Sequence, residues 1–265
     1  MSFATARDGA QLYFEVIGEG EPLILISGQA SDSKAWDYVR DDFAARHLVI
    51  TFDHRGTGQS DKPQEPAYST RGFAEDAIAV LDHLGIDRAH AYGISMGGRV
   101  CQWLGVEHRT RIGAVVLGCT TPGNAHGIPR DADVNVAMAS GDISKLFDLM
   151  VSPEWASTHP EVVANLFTVM KNPIPRYAAQ LHYAASEAHD VWDRLPTIDV
   201  PTLVIHGSDD RINPSANARL LADRIPNAQL HIVNGGRHAY FSEFREEASR
   251  VVLEFLEQNS FSKRS

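Results

Sequence analysis

Long apolar runs are missing from this chain: no stretch approaches the ~20 residues needed to cross a bilayer. The opening residues, Met1-Ser2-Phe3-Ala4-Thr5-Ala6-Arg7-Asp8-Gly9, lack the charged-then-apolar pattern of a secretory signal. The expectation is a cytoplasmic protein with no membrane partner. A surplus of positive charge is missing too. Lys and Arg number 24 against 34 Asp and Glu, for a formal net charge of −10, so phosphate neutralisation has little to draw on and no nucleic-acid partner is expected. Cysteine is scarce. Cys101 and Cys119 fall in an expected helix and at an expected strand end, which reads as two buried free thiols rather than a disulfide or metal pair. The twelve histidines show no metal-ligand spacing, so neither a metal nor a cofactor is expected.

What is present is apolar content, 43% of 265 residues, ample for a sizeable core. The segments near 4–7 and 11–17 read as strands joined at Asp8-Gly9, a pair suited to a tight hairpin. Leu23-Ile24-Leu25-Ile26 is a continuous apolar run, the mark of a strand buried on both faces, and it ends at Ser27-Gly28-Gln29-Ala30. Leu48–Phe52 reads as the next strand. The polar loop after it, Asp53-His54-Arg55-Gly56-Thr57-Gly58, lacks phosphate-cradle spacing, and Asp53 and Arg55 are expected to fix it as a structural ion pair. Trp36 is expected to pack rather than react.

Helical spacing of Phe73, Ala77, Val80, Leu81 and Leu84 predicts a helix from Thr70 to Leu84, stopped by Gly85. Arg88–Tyr92 then reads as a strand, Gly98–His108 as a helix and Ile112–Leu117 as a strand. Pro201–His206, a helix near Ser215–Arg224, a strand at Gln229–Val233 and a helix to about Gln258 continue the alternation. Strands alternating with helices predict an α/β fold with a mainly parallel sheet. Between about Thr121 and Pro196 the alternation breaks. Helix-like segments there carry Met138, Leu146, Phe147, Met150, Trp155, Leu166, Phe167, Met170 and Tyr183 between proline-rich joints. The expected division is a core of 1–121 and 196–265 with a helical cap of 122–195. The cap is expected to supply the substrate pocket's wall, with Gly28, Met138, Phe147, Met150 and Trp155 as the candidate lining.

The chemistry concentrates at Gly93-Ile94-Ser95-Met96-Gly97-Gly98, between an expected strand and helix. A serine on such a sharp turn needs small residues two positions either side of it, and Gly93 and Gly97 supply them. Ser95 is therefore the candidate nucleophile. The Met96 N–H, in the first turn of the following helix, is one candidate oxyanion donor; the Gln29 N–H, after the central strand, is the second. Candidate acids follow at Asp209 and Asp210 and a candidate base at His238, each at the end of a different expected strand. Ser, then Asp, then His is the order that accompanies a nucleophile elbow.

With these residues in view, the chain resembles the α/β-hydrolase superfamily over nearly its whole length, from Gly28 through Asp53-His54-Arg55-Gly56 and the elbow to His238. Small cytoplasmic esterases, enol-lactonases and cofactor-free perhydrolases are the most similar in pattern. The resemblance implies that Asp210 is the acid, since Gly207, Asp210 and Pro214 fit the family's Gly-x-x-Asp-x-x-x-Pro; Asp209 stays open as the alternative. It implies a serine hydrolase acting on a small, fairly hydrophobic ester or lactone. A C–C bond hydrolase, a perhydrolase or a slow ligand sensor of the same fold are the alternatives. Two departures stand out: Ser27-Gly28 replaces the family's usual His-Gly, and Arg237 sits beside the base. Arg130, Arg176 and Arg237 are the cations that, facing inward, would turn the preference toward acidic substrates.

Overall fold

The computed structural model describes residues 2–65, 68–139, 143–166 and 174–261. Eight strands form one sheet: β1 (Ser2–Thr5), β2 (Gln11–Ile17), β3 (Glu21–Ile26), β4 (His47–Phe52), β5 (Ala89–Ile94), β6 (Ile112–Gly118), β7 (Thr202–Gly207) and β8 (Gln229–Val233). Their spatial order is β1-β2-β4-β3-β5-β6-β7-β8. The β1–β2 and β2–β4 pairs are antiparallel, and every pair from β4 to β8 is parallel.

Around the sheet lie α1 (Arg40–Ala44), α2 (Thr70–His83), α3 (Met96–Glu107), α4 (Ala132–Ala139), α5 (Ile143–Met150), α6 (Pro153–Thr158) and α7 (Pro160–Leu166). After them come α8 (Arg176–Glu187), α9 (Ala216–Arg224), α10 (Tyr240–Glu243) and α11 (Arg245–Gln258). The single C-terminal helix expected from the sequence is thus two, broken at Phe244. No helix among the described residues is long and apolar enough to cross a membrane.

The apolar strand runs are explained by coverage of both sheet faces. Successive side chains of a strand point to opposite faces. Ile24, Ile26, Ala91, Val115, Leu117 and Val204 join the core cluster that contains Phe73, Val100 and Leu104 of α2 and α3. Their neighbours Leu23, Leu25, Tyr92, Val116, Leu203 and Ile205 join the opposite cluster, with Trp36, Phe43, Tyr240 and Val252. Trp36 is fully buried, edge-on to Tyr92 with ring centroids 4.9 Å apart. Both cysteines are buried free thiols. Local signals hold where they were strongest: Ser69 caps α2 through a 2.9 Å bond from the Gly72 N–H, and Gly85 takes φ +66° just past its end.

One expected pairing is not made. Asp53 accepts from the Ser33 N–H at 2.8 Å and the Gln59 N–H at 2.7 Å. Arg55 turns away to clamp Asp76 through Nε (2.7 Å) and Nη2 (2.6 Å), and reaches Asp8 at 2.6 Å. Asp53 is consumed by backbone donors of two loops, so Arg55 finds its counter-charges on α2 and in the first hairpin.

Candidate active site

Ser95 sits between β5 and α3 with φ 55° and ψ −118°, a conformation that costs a non-glycine residue ~1–3 kcal/mol. Its surroundings hold it there. A Cβ on Gly93 would lie 2.1 Å from the Gly97 carbonyl oxygen, and one on Gly97 would lie 2.1 Å from that of Ile26, so neither position accepts a side chain. The Ser95 N–H donates to the Gly118 carbonyl at 2.9 Å, and its carbonyl accepts from Thr120 Oγ1 at 2.7 Å. Ser95 is partly exposed within a buried stretch, and it lines a cavity.

His238, after β8, brings Nδ1 within 2.8 Å of Asp210 Oδ2. The Asp210 side chain has no exposed surface. Its Oδ1 accepts from the N–H groups of Ile212 and Asn213, each at 2.9 Å, and Oδ2 also lies 3.0 Å from His206 Nε2. Burial opposes its ionisation, but the charge of His238 and the hydrogen bonds of both histidines outweigh that and hold its carboxyl well below the usual range. Asp209 is exposed and accepts from Ser208 Oγ at 2.6 Å. Geometry therefore separates the two neighbouring acids: Asp210 is the one that reaches His238. An ionised carboxylate can only accept, so the His238 Nδ1–H donates to it.

The loop after β3 passes directly against the serine. A Cβ on Gly28 would stand 3.4 Å from the Ser95 Cβ. Ser27, in the position where histidine is usual, donates its hydroxyl to the Asp32 carbonyl at 2.9 Å and so closes this loop. His182 of α8 fastens it from above: Nδ1 accepts from the Ala30 N–H at 3.5 Å while Nε2 donates to the Arg55 carbonyl at 2.8 Å. Gln29 lies between these anchors. Met96 occupies the first turn of α3, where an N–H has no carbonyl within its own helix.

The cavity, of about 240 Å³, is walled by Gly28, Gln29, Ser95 and His238 on one side and by Met138, Leu146, Met150 and Leu166 of α4, α5 and α7 on the other. Phe147 and Trp155, expected in this lining, do not form part of it. Phe147 packs against the core cluster of Trp36 and Tyr240, which Met150 also touches, whereas Leu146 and Met150 pack against Val134, Leu149 and Ile212. Trp155 instead stacks on His159, with centroids 4.4 Å apart, beside Tyr38. Tyr183 is 52% exposed, and Phe167 and Met170 lie outside the described residues. A larger cleft of about 1050 Å³ runs along α11 and touches none of Ser95, Asp210 and His238.

Three cations near the site are resolved differently. Arg237 donates to the carbonyls of Asp148 and Val151 at the end of α5. Arg176 is exposed. Arg130 lines the cavity, as does Arg99, which the sequence reading passed over. Arg99 stands four residues after Ser95 on α3, one turn along the same face, and that spacing was the available signal.

The family model described as the alpha/beta hydrolase fold matches residues 21–244, and this chain belongs to that family. It is 31% identical to "Putative carbamate hydrolase RutD" of Azorhizobium caulinodans, over 96% of this chain and 98% of that one. It is 28% identical to "Non-heme haloperoxidase" of Rhodococcus erythropolis, over 97% of this chain and all of that one. Among solved structures it is similar to "Est816 as an N-Acyl homoserine lactone degrading enzyme", at 32% identity and TM-score 0.84, over 96% of this chain and all of that one.

Proposed function

We propose that this chain is a serine hydrolase that cleaves a carboxylic ester or lactone of a small molecule with an apolar acyl chain through an acyl-enzyme, with residues 122–195 acting as a cap. The observation that carries the reading is Ser95 on a strained elbow, in the wall of the same cavity as a His238 whose Nδ1 is 2.8 Å from buried Asp210. Ser95 Oγ attacks the carbonyl carbon while its proton passes to His238 Nε2. The oxyanion accepts from the Met96 and Gln29 N–H groups, each donor of this kind contributing ~3 kcal/mol to the transition state. Collapse expels the alcohol, which takes the proton back from His238. Water then repeats the sequence and releases the acid.

The test is covalent labelling with a fluorophosphonate, read by intact mass, together with turnover on short esters, lactones and carbamates. One label per chain is expected, on Ser95, with kcat lower by ~10³-fold or more in Ser95→Ala. Wild-type turnover in that variant ends the proposal, and label without multiple turnover favours a ligand sensor. The haloperoxidase relative supports a second reading, in which hydrogen peroxide replaces water at the acyl-enzyme and yields a peracid. Peracid formed from an ester in peroxide, and lost in Ser95→Ala, distinguishes it.

A further inference from the structure

Resting on the hydrolase reading above, we infer that the preferred substrate carries a carboxylate, and that Arg99 binds it one helical turn along α3 from Ser95. Arg99 is 3% exposed and lines the cavity that holds Ser95 and His238. Buried arginines ordinarily sit against carboxylates. This one sits against neutral groups. Nη1 donates to the Ser186 carbonyl and, at 2.9 Å, to the Ser186 hydroxyl, and Nη2 donates to Thr121 Oγ1 at 2.9 Å. The Nε–H is buried with no hydrogen-bond partner, and the one carboxylate whose charge acts on the guanidinium among the described residues, Glu187, is engaged by Arg130.

The open donor belongs to the edge that grips carboxylates elsewhere in this chain. Arg55 holds Asp76, and Arg245 holds Asp42, through Nε and Nη2 together. Planar, two-point recognition of that kind suits an arginine and a carboxylate. At Arg99 no such two-point acid is present among the described residues; Glu187, paired with Arg130, favours the charged form without bonding to it. Burial pulls Arg99 down to about 10, which still leaves it a cation at neutral pH. Arg130 adds a second cation on the same wall; its nearest acid, Glu187, is 3.5 Å away and partly exposed. Four residues of helix rise ~6 Å from Ser95 to Arg99, so the carboxylate and the reacting carbonyl belong to one short acyl chain. The apolar side chains of Met138, Leu146 and Met150 pack its methylenes.

The test compares monomethyl esters of glutaric, adipic and pimelic acid with methyl pentanoate, hexanoate and heptanoate, which match them in length without the second carboxylate. In the wild type the acid member of the best-matched pair is expected to lead by about tenfold or more in kcat/KM. That ratio is expected to fall to about one in Arg99→Met and to be partly kept in Arg99→Lys. Because each ratio is taken within one protein, it is independent of the variant's folded fraction. Preference for the neutral ester at every length, or an unchanged ratio in Arg99→Met, overturns the inference. Calorimetry of glutarate and adipate on Ser95→Ala separates the two proposals. Binding that is lost in Ser95→Ala/Arg99→Met, in a chain that hydrolyses no ester, supports the arginine and removes the hydrolase. Rapid hydrolysis of neutral esters with no dicarboxylate binding does the reverse.

Discussion

His206 Nε2 lies 3.0 Å from Asp210 Oδ2, the same carboxylate oxygen that His238 Nδ1 reaches at 2.8 Å. With the two backbone donors on Oδ1, the Asp210 carboxylate is held from four directions, and its orientation toward His238 is fixed by groups outside the proposed triad. His206 never touches the cavity. The same Nε2 lies 2.7 Å from the Asn213 carbonyl, so His206 ties Asp210 to its own loop.

His206→Leu removes the donor shared by the Asp210 carboxylate and the Asn213 carbonyl, 3.0 and 2.7 Å from Nε2, at a cost of ~1–3 kcal/mol. Urea unfolding is expected to show that loss, and kcat is expected to fall about tenfold with KM little changed. His206→Gln keeps an N–H donor and should recover most of the kcat. If Leu and Gln behave alike in kcat, His206 contributes packing alone.

Gly97→Ala tests the close approach of the elbow to β3. A Cβ there would lie 2.1 Å from the Ile26 carbonyl oxygen and 2.8 Å from that of Ser27, so the loop bearing Gln29 must retreat from Ser95. A misplaced oxyanion donor is expected to lower kcat by ~10²-fold or more, and fluorophosphonate labelling of Ser95 should slow in parallel. Labelling at the wild-type rate would show that the backbone absorbs the methyl group.

Acid stability should fail early. Burial lowers His54 to about 3 and His90 and His182 to about 4, in each case because the charged form is desolvated. Below the ordinary histidine value of 6.5 the unfolded chain takes up protons that the folded chain refuses, so folding stability falls as pH falls. The window opens near 6.5 and closes near 4 for His90 and His182 and near 3 for His54. Each group contributes at most ~1.4 kcal/mol per pH unit inside it. Tm measured from pH 7.5 to 4.5 is expected to drop steeply, and the drop should be shallower in His182→Gln. A flat profile over that range would mean these rings gain protons without unfolding.

The sheet, the elbow and the order of Ser95, Asp210 and His238 were legible because each rests on local chemistry: apolar alternation, glycine spacing and loop residues at strand ends. What escaped were contacts made at long range. The partners of Arg55 lie 21 and 47 positions away, in Asp76 and Asp8, and proximity along the chain suggested Asp53 instead. Helix α5 is apolar on more than one face: Leu146 and Met150 line the cavity, while Phe147 packs against the core cluster that Met150 also touches. Periodicity alone does not say which face meets substrate. An arginine on a helix usually faces water; here Ser186 of α8 and Thr121 close over the guanidinium.

The loop that carries His238 is fastened to the end of α5 by its own backbone: the His238 N–H donates to the Leu149 carbonyl at 3.3 Å and the Ala239 N–H to that of Met150 at 2.8 Å. Bonds between main-chain groups are blind to the side chains they carry. Leu146 and Met150 can therefore drift among apolar residues, reshaping the cavity, without moving His238. A change in length is another matter, because one residue gained or lost between 143 and 151 would re-register both bonds at once. Between 143 and 151, then, the cavity wall tolerates substitution and resists insertion.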